Sequence, residues 1–507
     1  MMDRFGLASR FALISFIGVL SSITTMSARG STYYISAEGS DLNGGTDKDD
    51  PWQHAPGMPD CNAACSAATP KPGDRFIFRG RDTWHTSVGK VRGMPWMWTW
   101  SGTTTDHVYI GVDNTWFSGS SWARPILHMD NPSGTERPES CSYDDSDITG
   151  VSLENVRYVD FDGFEFTGKC WGGTPRGASI FRSGSYITVS NSYFHGWTMT
   201  THAGNDTHYM ISGAGSGTTG NVVASNVFDG SDSSLGTTPG KSSGFAIYAE
   251  CYDVHGNVFR HVSNGAVCSN LTHVHENLFE YMYNPVERHF AHGNVVESLG
   301  GLEQGTTYFY NNVVRHTAEG VTVWLQASIL YVFNNVFYDI GNPINCLMQN
   351  PPGFRAGAGV ATSYIYNNTF ESPCHLNFNA ANSTTPSWSG SVYFGNNHLV
   401  GYSSVAAGIG CRSAASCYLN DQGGNVLQSK AKAAAEGYAT ANGYAPASGS
   451  AATIGRALNL SAMCPSVPAL CSTTSFGAID RPDRVVIYPA IPVLSRPSDH
   501  PWNVGAF

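Results

Sequence analysis

Charge is scarce in this chain. Asp, Glu, Lys and Arg make up 13% of its 507 residues, and 28 Lys and Arg are outnumbered by 39 Asp and Glu, for a net charge of −11. No basic stripe is present to neutralise phosphates, which excludes nucleic acid as a partner. A polyanionic sugar would need a local basic pocket or a bound cation. No CxxC pair occurs among the 12 cysteines, which argues against a zinc ribbon. Membrane-length apolar runs are also missing. The marked apolar run, Phe11–Leu20, is too short to span a bilayer. Arg4 and Arg10 precede it and a Ser/Thr stretch leads on to Ala28, so residues 1–28 read as a secretory signal cleaved near Ser27–Ala28. The expectation is a secreted, extracellular protein with no membrane span.

What replaces charge is Gly, Ser, Thr, Asn and aromatic residues, with 56 glycines. That composition favours strands and tight turns over helices, in a chain long enough to bury a large core. An even, high cysteine count suits export. Structural staples are the expected role, with local pairs at Cys61–Cys65, Cys411–Cys417 and Cys464–Cys471. Longer links are plausible at Cys251–Cys268, Cys346–Cys374 and Cys141–Cys170. Spacing alone does not fix connectivity, which geometry decides.

One pattern recurs: an apolar strand, one or two asparagines, and a second apolar strand. It is clear in VHGNVFRHV, VHENLFEYM, AHGNVVESL, YFYNNVVRHT, YVFNNVFYDI and YIYNNTFESP. Aligning Asn257, Asn277, Asn294, Asn312, Asn335, Asn368 and Asn397 gives successive intervals of 20, 17, 18, 23, 33 and 29 residues, a solenoid period. Apolar residues precede each turn (Val254, Val274, Ala291, Phe309, Val332, Ile365) and follow it (Phe259, Phe279, Val296, Val314, Phe337, Phe370). Asn tolerates the left-handed turn conformation, and stacked Asn side chains can form a hydrogen-bonded ladder. The spacing leaves no room for strand–helix–strand units and is short for propeller blades. The fold class is therefore all-β: a single-stranded right-handed parallel β-helix, whose coils bury their apolar residues only by stacking.

The sequence resembles the pectate lyase-like superfamily of right-handed parallel β-helix proteins. TYYISAEGSDLNGGT looks like the opening strand and loop of secreted members, PGDRFIFRGRDTW like their first coil, and FGAIDRP with RPSDHPWNVGAF like their closing segment. The resemblance implies the fold across nearly the whole mature chain, and it implies an enzyme on a carbohydrate more readily than a binding protein. It supplies no catalytic residues, because the RxPxxR run of pectate lyases and the NTD, DD and GHG set of polygalacturonases are missing. Asp144–Asp145 is a lone acidic pair in a loop.

Residues 31–150 read as an N-terminal cap and first coils, 151–430 as the regular helix, and 431–507 as a C-terminal cap and return tail. A short α-helix is expected within QSKAKAAAEGY (428–438). PWMWTW (95–100), with Trp116 and Trp122, fits a hydrophobic cap better than a sugar platform.

Equivalent residues of stacked coils stand about 4.8 Å apart. Reading FAIYAEC, GAVCSN, PVERHF, GLEQG and VTVWLQ as successive strands puts Glu250, Ser269 or Asn270, Glu287, Glu303 and Gln326 in one row. Two chemistries fit. A polysaccharide lyase would hold Ca²⁺ on Glu250, Glu287 and Glu303. Arg288 would be its base or charge stabiliser and His289 the fallback. A glycoside hydrolase would use a Glu pair, Glu287 with Glu303 or Glu250 with Glu287. A third reading is a non-catalytic glycan-binding or surface protein. Tyr248 and Trp324 are candidates for stacking on sugar rings. His202 and His208, with Asp206, could overhang the groove. His255, His275 and His292 fall in one column continued by Tyr310, Phe333 and Tyr366, which suits an aromatic ladder better than a metal site. The expected partner is a polysaccharide substrate, bound by a monomer. Sequons at 205–207, 270–272, 382–384 and 459–461 matter only in a eukaryotic host.

Overall fold

The computed structural model describes residues 30–85, 96–129, 149–171, 179–199, 209–213, 218–230, 244–282, 294–298, 305–317, 322–340, 346–350, 358–378, 387–411, 418–439, 444–446, 449, 451–474 and 493–507. Within them the chain winds as a single-stranded right-handed parallel β-helix. Three long sheets carry 13, 12 and 11 strands, here called the first, second and third sheet. Neighbours in each sheet are coil-to-coil partners, and the pairing is parallel, as in Asp253–His255 beside His273–His275 and Val258–Arg260 beside Leu278–Glu280. Right-handed winding is the sense that twisted strands impose on parallel crossovers.

One coil shows the plan. Asp253–His255 lies in the first sheet, the chain turns at Gly256–Asn257, and Val258–Arg260 lies in the second. A short corner follows, then Asn264–Ser269 in the third sheet and His273–His275 back in the first. Inward positions are apolar and sealed. Val223, Val254, Val274, Phe309, Val332, Ile365 and Phe394 line the first sheet's inner side and belong to one continuous core. On the second sheet, Phe166, Phe194, Phe228, Phe259 and Phe279 stack ring on ring, with centroids 4.5, 4.9, 5.1 and 4.8 Å apart. A single coil has nothing to cover these rings; its neighbours do.

The asparagine turn divides its work between two residues. The first takes the left-handed conformation: Asn311, Asn334, Asn367 and Asn396 have φ of 53°, 57°, 55° and 60°, while Gly256 and Glu276 hold that place in other coils at 63° and 57°. The second builds the ladder. Asn226, Asn257, Asn277, Asn312, Asn335, Asn368, Asn397 and Asn425 run in succession, each side-chain amide donating to the next side-chain oxygen. The same oxygens accept the preceding coil's backbone N–H, as Asn335 does from Asn312 at 2.9 Å. This explains the NN doublets: one residue for the turn, one for the ladder.

Asn294 is not a rung. Asn277 bonds directly to Asn312, and Asn294–Ser298 is a strand of the third sheet. Val296 therefore does not flank a turn of this kind and lies inward in the third sheet's core, while Ala291 lies outside the described residues.

The short helix expected near 428–438 is present at Lys430–Ala435, capped by the Ser429 side chain. Beyond it, the described parts of the tail lie along the outside. Ala506 and Phe507 pack with Val336 and Val400 over the second sheet, and Trp502 with Phe333 and Tyr366 over the first. The buried Arg496 guanidinium fixes the tail by donating to the Asn334 side chain and to the carbonyls of Asn503 and Gly505.

Candidate functional site

The third sheet presents an unbroken register row: Met97, Ser152, Arg182, Ser212, Tyr248, Val267, Glu297, Trp324, Met348 and Asn377. The alternating positions Ile211, Ile247, Ala266, Val296, Val323 and Leu347 fill the core, which leaves the described side chains of the row on the outer side. Tyr248 is half-buried, stacks on Tyr209 at 4.6 Å, and joins Phe245 and Val267 in an aromatic patch separate from the main core. Glu297 accepts from the Asn294 amide at 2.6 Å. Arg182 stands 3.6 Å from Glu154, and its buried Nε has no hydrogen-bond partner. Asn264, next to Phe245 in register, is buried with both amide atoms unpaired. Tyr248 and Trp324 thus share one row, three coil steps apart; Trp324's side chain is outside the described residues.

Of the carboxylates in the row expected from the sequence, Glu250 alone falls within the described residues. Asn264–Ser269 is followed in the sheet by Asn294–Ser298 and then Thr322–Gln326. Glu250 does pair with Ser269, as expected. Its neighbours in the expected row, Glu287 and Glu303, lie outside the described residues, as do Arg288, His289, His202 and His208. Glu287, Arg288 and His289 fall in the segment that enters the strand Asn294–Ser298, and Glu303 in the segment that leaves it.

Glu250 serves a corner. It is 4% exposed, and its two oxygens accept the backbone N–H groups of Gly220 and Asn221 at 3.0 and 3.1 Å. Burial pushes its carboxyl up, and the two amides only partly offset this.

A second polar cluster sits on the outer side of the first sheet. Asp253 Oδ1 is 3.2 Å from His255 Nδ1 and 3.3 Å from His275 Nε2, and His275 Nδ1 faces Glu276 at 3.6 Å. Burial pushes the Asp253 carboxyl up, but the two imidazoles outweigh it and hold the group well below the usual carboxylate range. Burial likewise pulls His275 down, and Asp253 and Glu276 more than reverse this, raising it to about 9. The expected aromatic column is here: His255, His275, Tyr310 and Phe333 stack with centroids 4.8, 4.6 and 4.9 Å apart. His292, also expected in this column, lies outside the described residues, and His275 pairs directly with Tyr310.

Among the described residues four disulfides are present: Cys61–Cys65, Cys251–Cys268, Cys346–Cys374 and Cys464–Cys471. The other two expected pairs involve Cys141 and Cys417, which lie outside the described residues.

Sequence reasoning missed Glu297 and Asp253. Glu297 was hidden because AHGNVVESL copies the turn motif. The signal against it was the interval: 17 residues from Asn277 is shorter than any true rung-to-rung distance, while 35 to Asn312 is ordinary. Asp253 opens a strand two residues before His255 on the same face, a period-two relation visible in CYDVHGN.

No protein-family model matches the chain, and no curated protein sequence matches it. Solved structures similar to it include the pectate lyase Pel9A, at 13% identity and a TM-score of 0.41 over 86% of this chain and 93% of that one. They also include a rhamnogalacturonan lyase, at 12% and 0.40 over 78% and 87%. A GH136 lacto-N-biosidase from Eubacterium ramulus matches at 13% and 0.37 over 79% and 67%. The fold itself is read from the three sheets, a right-handed parallel β-helix. At these identities the likeness concerns the winding alone, and it assigns no residue and no reaction.

Proposed function

We propose that the protein is an exported polysaccharide-active enzyme that binds an extended glycan along the outer row of the third sheet and cleaves an acidic glycan by β-elimination. The row itself carries this reading. It offers aromatic, hydroxyl, cationic and carboxylate groups at a coil spacing of about 4.8 Å, close to the advance of one sugar unit in an extended chain. Tyr248 supplies an aromatic surface, Arg182 a counter-charge for a uronate carboxylate, and Glu297 a hydrogen-bond acceptor for hydroxyls.

In the elimination, a base takes the proton beside the uronate carboxylate. The electron pair left behind forms a carbon–carbon double bond as the neighbouring glycosidic oxygen departs with a proton. Arg288 is the proposed base, with His289 as the alternative, because their segment enters the sheet beside Glu297. Among the described residues no oxygen cage suits Ca²⁺: Glu250 is engaged by two backbone amides and Glu297 by Asn294. A hydrolase reading rests on Glu297, a half-buried carboxyl between the segments that hold Glu287 and Glu303.

The test is a panel of plant, algal and microbial glycans incubated with purified protein, with and without Ca²⁺, following ultraviolet absorbance and reducing ends together. The lyase reading expects both signals to rise in step on an acidic glycan, and to vanish in Arg288→Ala or His289→Ala. Reducing ends without absorbance would establish the hydrolase instead, and binding without either signal a glycan-binding protein.

A further inference from the structure

We propose that Asp253, His255 and His275 form a binding site for a divalent transition-metal ion of the zinc class, on the outer side of the first sheet between two successive coils. The site stands apart from the third-sheet row and does not depend on the reading of that row.

Strand pairing brings the groups together. Asp253 lies beside His273, and His255 beside His275, so the carboxylate and two imidazoles come from adjacent coils of one face. One ligand atom from each residue lies within 4.8 Å of the others. Two of the atoms at the meeting point, Asp253 Oδ1 and His255 Nδ1, are shut away from solvent, and neither makes a hydrogen bond. The reason is directional. The two rings are parallel within 9° and 4.8 Å apart, so an oxygen close to both nitrogens lies off the planes along which ring N–H groups point. Charge attraction is available there, but two parallel rings cannot both aim an N–H squarely at one oxygen between them. Buried polar atoms without partners are uncommon in native proteins, and an ion is one of the things that resolves them.

The donor set selects the ion. Two imidazoles and one carboxylate suit zinc and its neighbours, whereas Ca²⁺ takes six to eight oxygens. Ligand atoms of a tetrahedral site with bonds of about 2.0–2.2 Å stand about 3.3–3.6 Å apart. The two N–O separations here are already 3.2 and 3.3 Å. Glu276 stands 3.6 Å from His275 Nδ1, which makes no hydrogen bond; as the ring turns onto the ion, Glu276 would close on that nitrogen as its outer carboxylate.

An imidazole accepts a metal in its own plane, so both rings must turn to bind. His255 is free to do so at one ring contact's cost. It ends the stack, because the preceding coil carries Ala224 at this position. His275 tilts against Tyr310, its neighbour at 4.6 Å. Three protein ligands would leave a fourth position for a water molecule, and the ion would tie together the two coils already joined by Cys251–Cys268.

Equilibrium dialysis of the full-length protein against Zn²⁺, with Ca²⁺ as comparison, tests the site. One Zn²⁺ per chain is expected, with Ca²⁺ far weaker and the melting temperature raised by Zn²⁺. Asp253→Asn and His275→Asn should each weaken Zn²⁺ at least tenfold and abolish the melting shift. Glu276→Gln, which removes no ligand, should weaken it about 10- to 100-fold. His316→Asn, on the second sheet and away from these three residues, should leave it unchanged. Absence of saturable Zn²⁺ binding, or wild-type affinity in both Asp253→Asn and Glu276→Gln, would overturn the proposal.

Discussion

The side-chain amide of Asn277 donates to Asn312 Oδ1 at 3.0 Å, 35 residues further along the chain, with Asn294 left out of the line. Asn312 in turn donates to Asn335 and to the carbonyl of Val274, while accepting the backbone N–H of Asn277. Its amide is wholly buried and fully used. Asn312→Ala should therefore destabilise the protein by about 2–4 kcal/mol, the loss of several buried bonds at about 1 kcal/mol each plus stranded partners. Asn294→Ala, which loses one bond to Glu297, should cost about 1 kcal/mol. Chemical denaturation of both variants checks the contrast; equal costs would contradict the ladder's path.

Much of the fold was legible because its period is written in residue types. Val254, Val274, Phe309, Val332 and Ile365 read as inward positions, and they are. The NN doublets read as turns, and they are, though a lone Asn served just as well where Gly256 or Glu276 took the left-handed place. The site was less legible. Strands of the third sheet are separated from the Asn turns by corners of unequal length. The chain crosses from Arg260 to Asn264 in one coil and from Glu280 to Asn294 in the next. Counting from the asparagines therefore lost the register, and a one-residue error already moves a side chain to the other face. Pairing recovered it for Tyr248 and Trp324 and brought in Glu297.

Acid should act through Asp41. This buried carboxylate accepts the backbone N–H groups of Gln53, His54 and Asn62 and the His54 ring nitrogen. Burial pushes its carboxyl up, and these hydrogen bonds more than reverse that, leaving it below its usual 3.8. A carboxyl lowered on folding contributes stability that is complete above 3.8 and is lost as pH falls from there through the folded value. Asp41→Asn should cost about 2 kcal/mol at neutral pH, and melting curves from pH 7 to pH 3 should show the gap to wild type closing at the acid end. A gap independent of pH would rule this out.

The Cys251–Cys268 bond links the residue just past the strand Phe245–Glu250 to the neighbouring strand Asn264–Ser269 across 17 residues, with Cα atoms 5.5 Å apart. Replacing both cysteines with Ala should lower stability by about 3 kcal/mol while leaving the far-ultraviolet circular dichroism unchanged, because the flanking rungs at Asn257 and Asn277 still bond. Loss of the β signal at room temperature would show that the staple, not the stacking, holds these coils.

Which face the glycan occupies is tested most directly by comparing Tyr248→Ala on the third sheet with Tyr331→Ala on the first. Both tyrosines are half-buried, and Tyr331 stands in a stacked tyrosine column with Tyr308 and Tyr364. Affinity for the best-bound glycan of the panel, measured by native affinity electrophoresis, should fall about tenfold in Tyr248→Ala, the loss of about 1.4 kcal/mol of aromatic contact, and stay at the wild-type level in Tyr331→Ala. The reverse pattern, or no loss in either variant, would contradict a substrate lying along the third sheet.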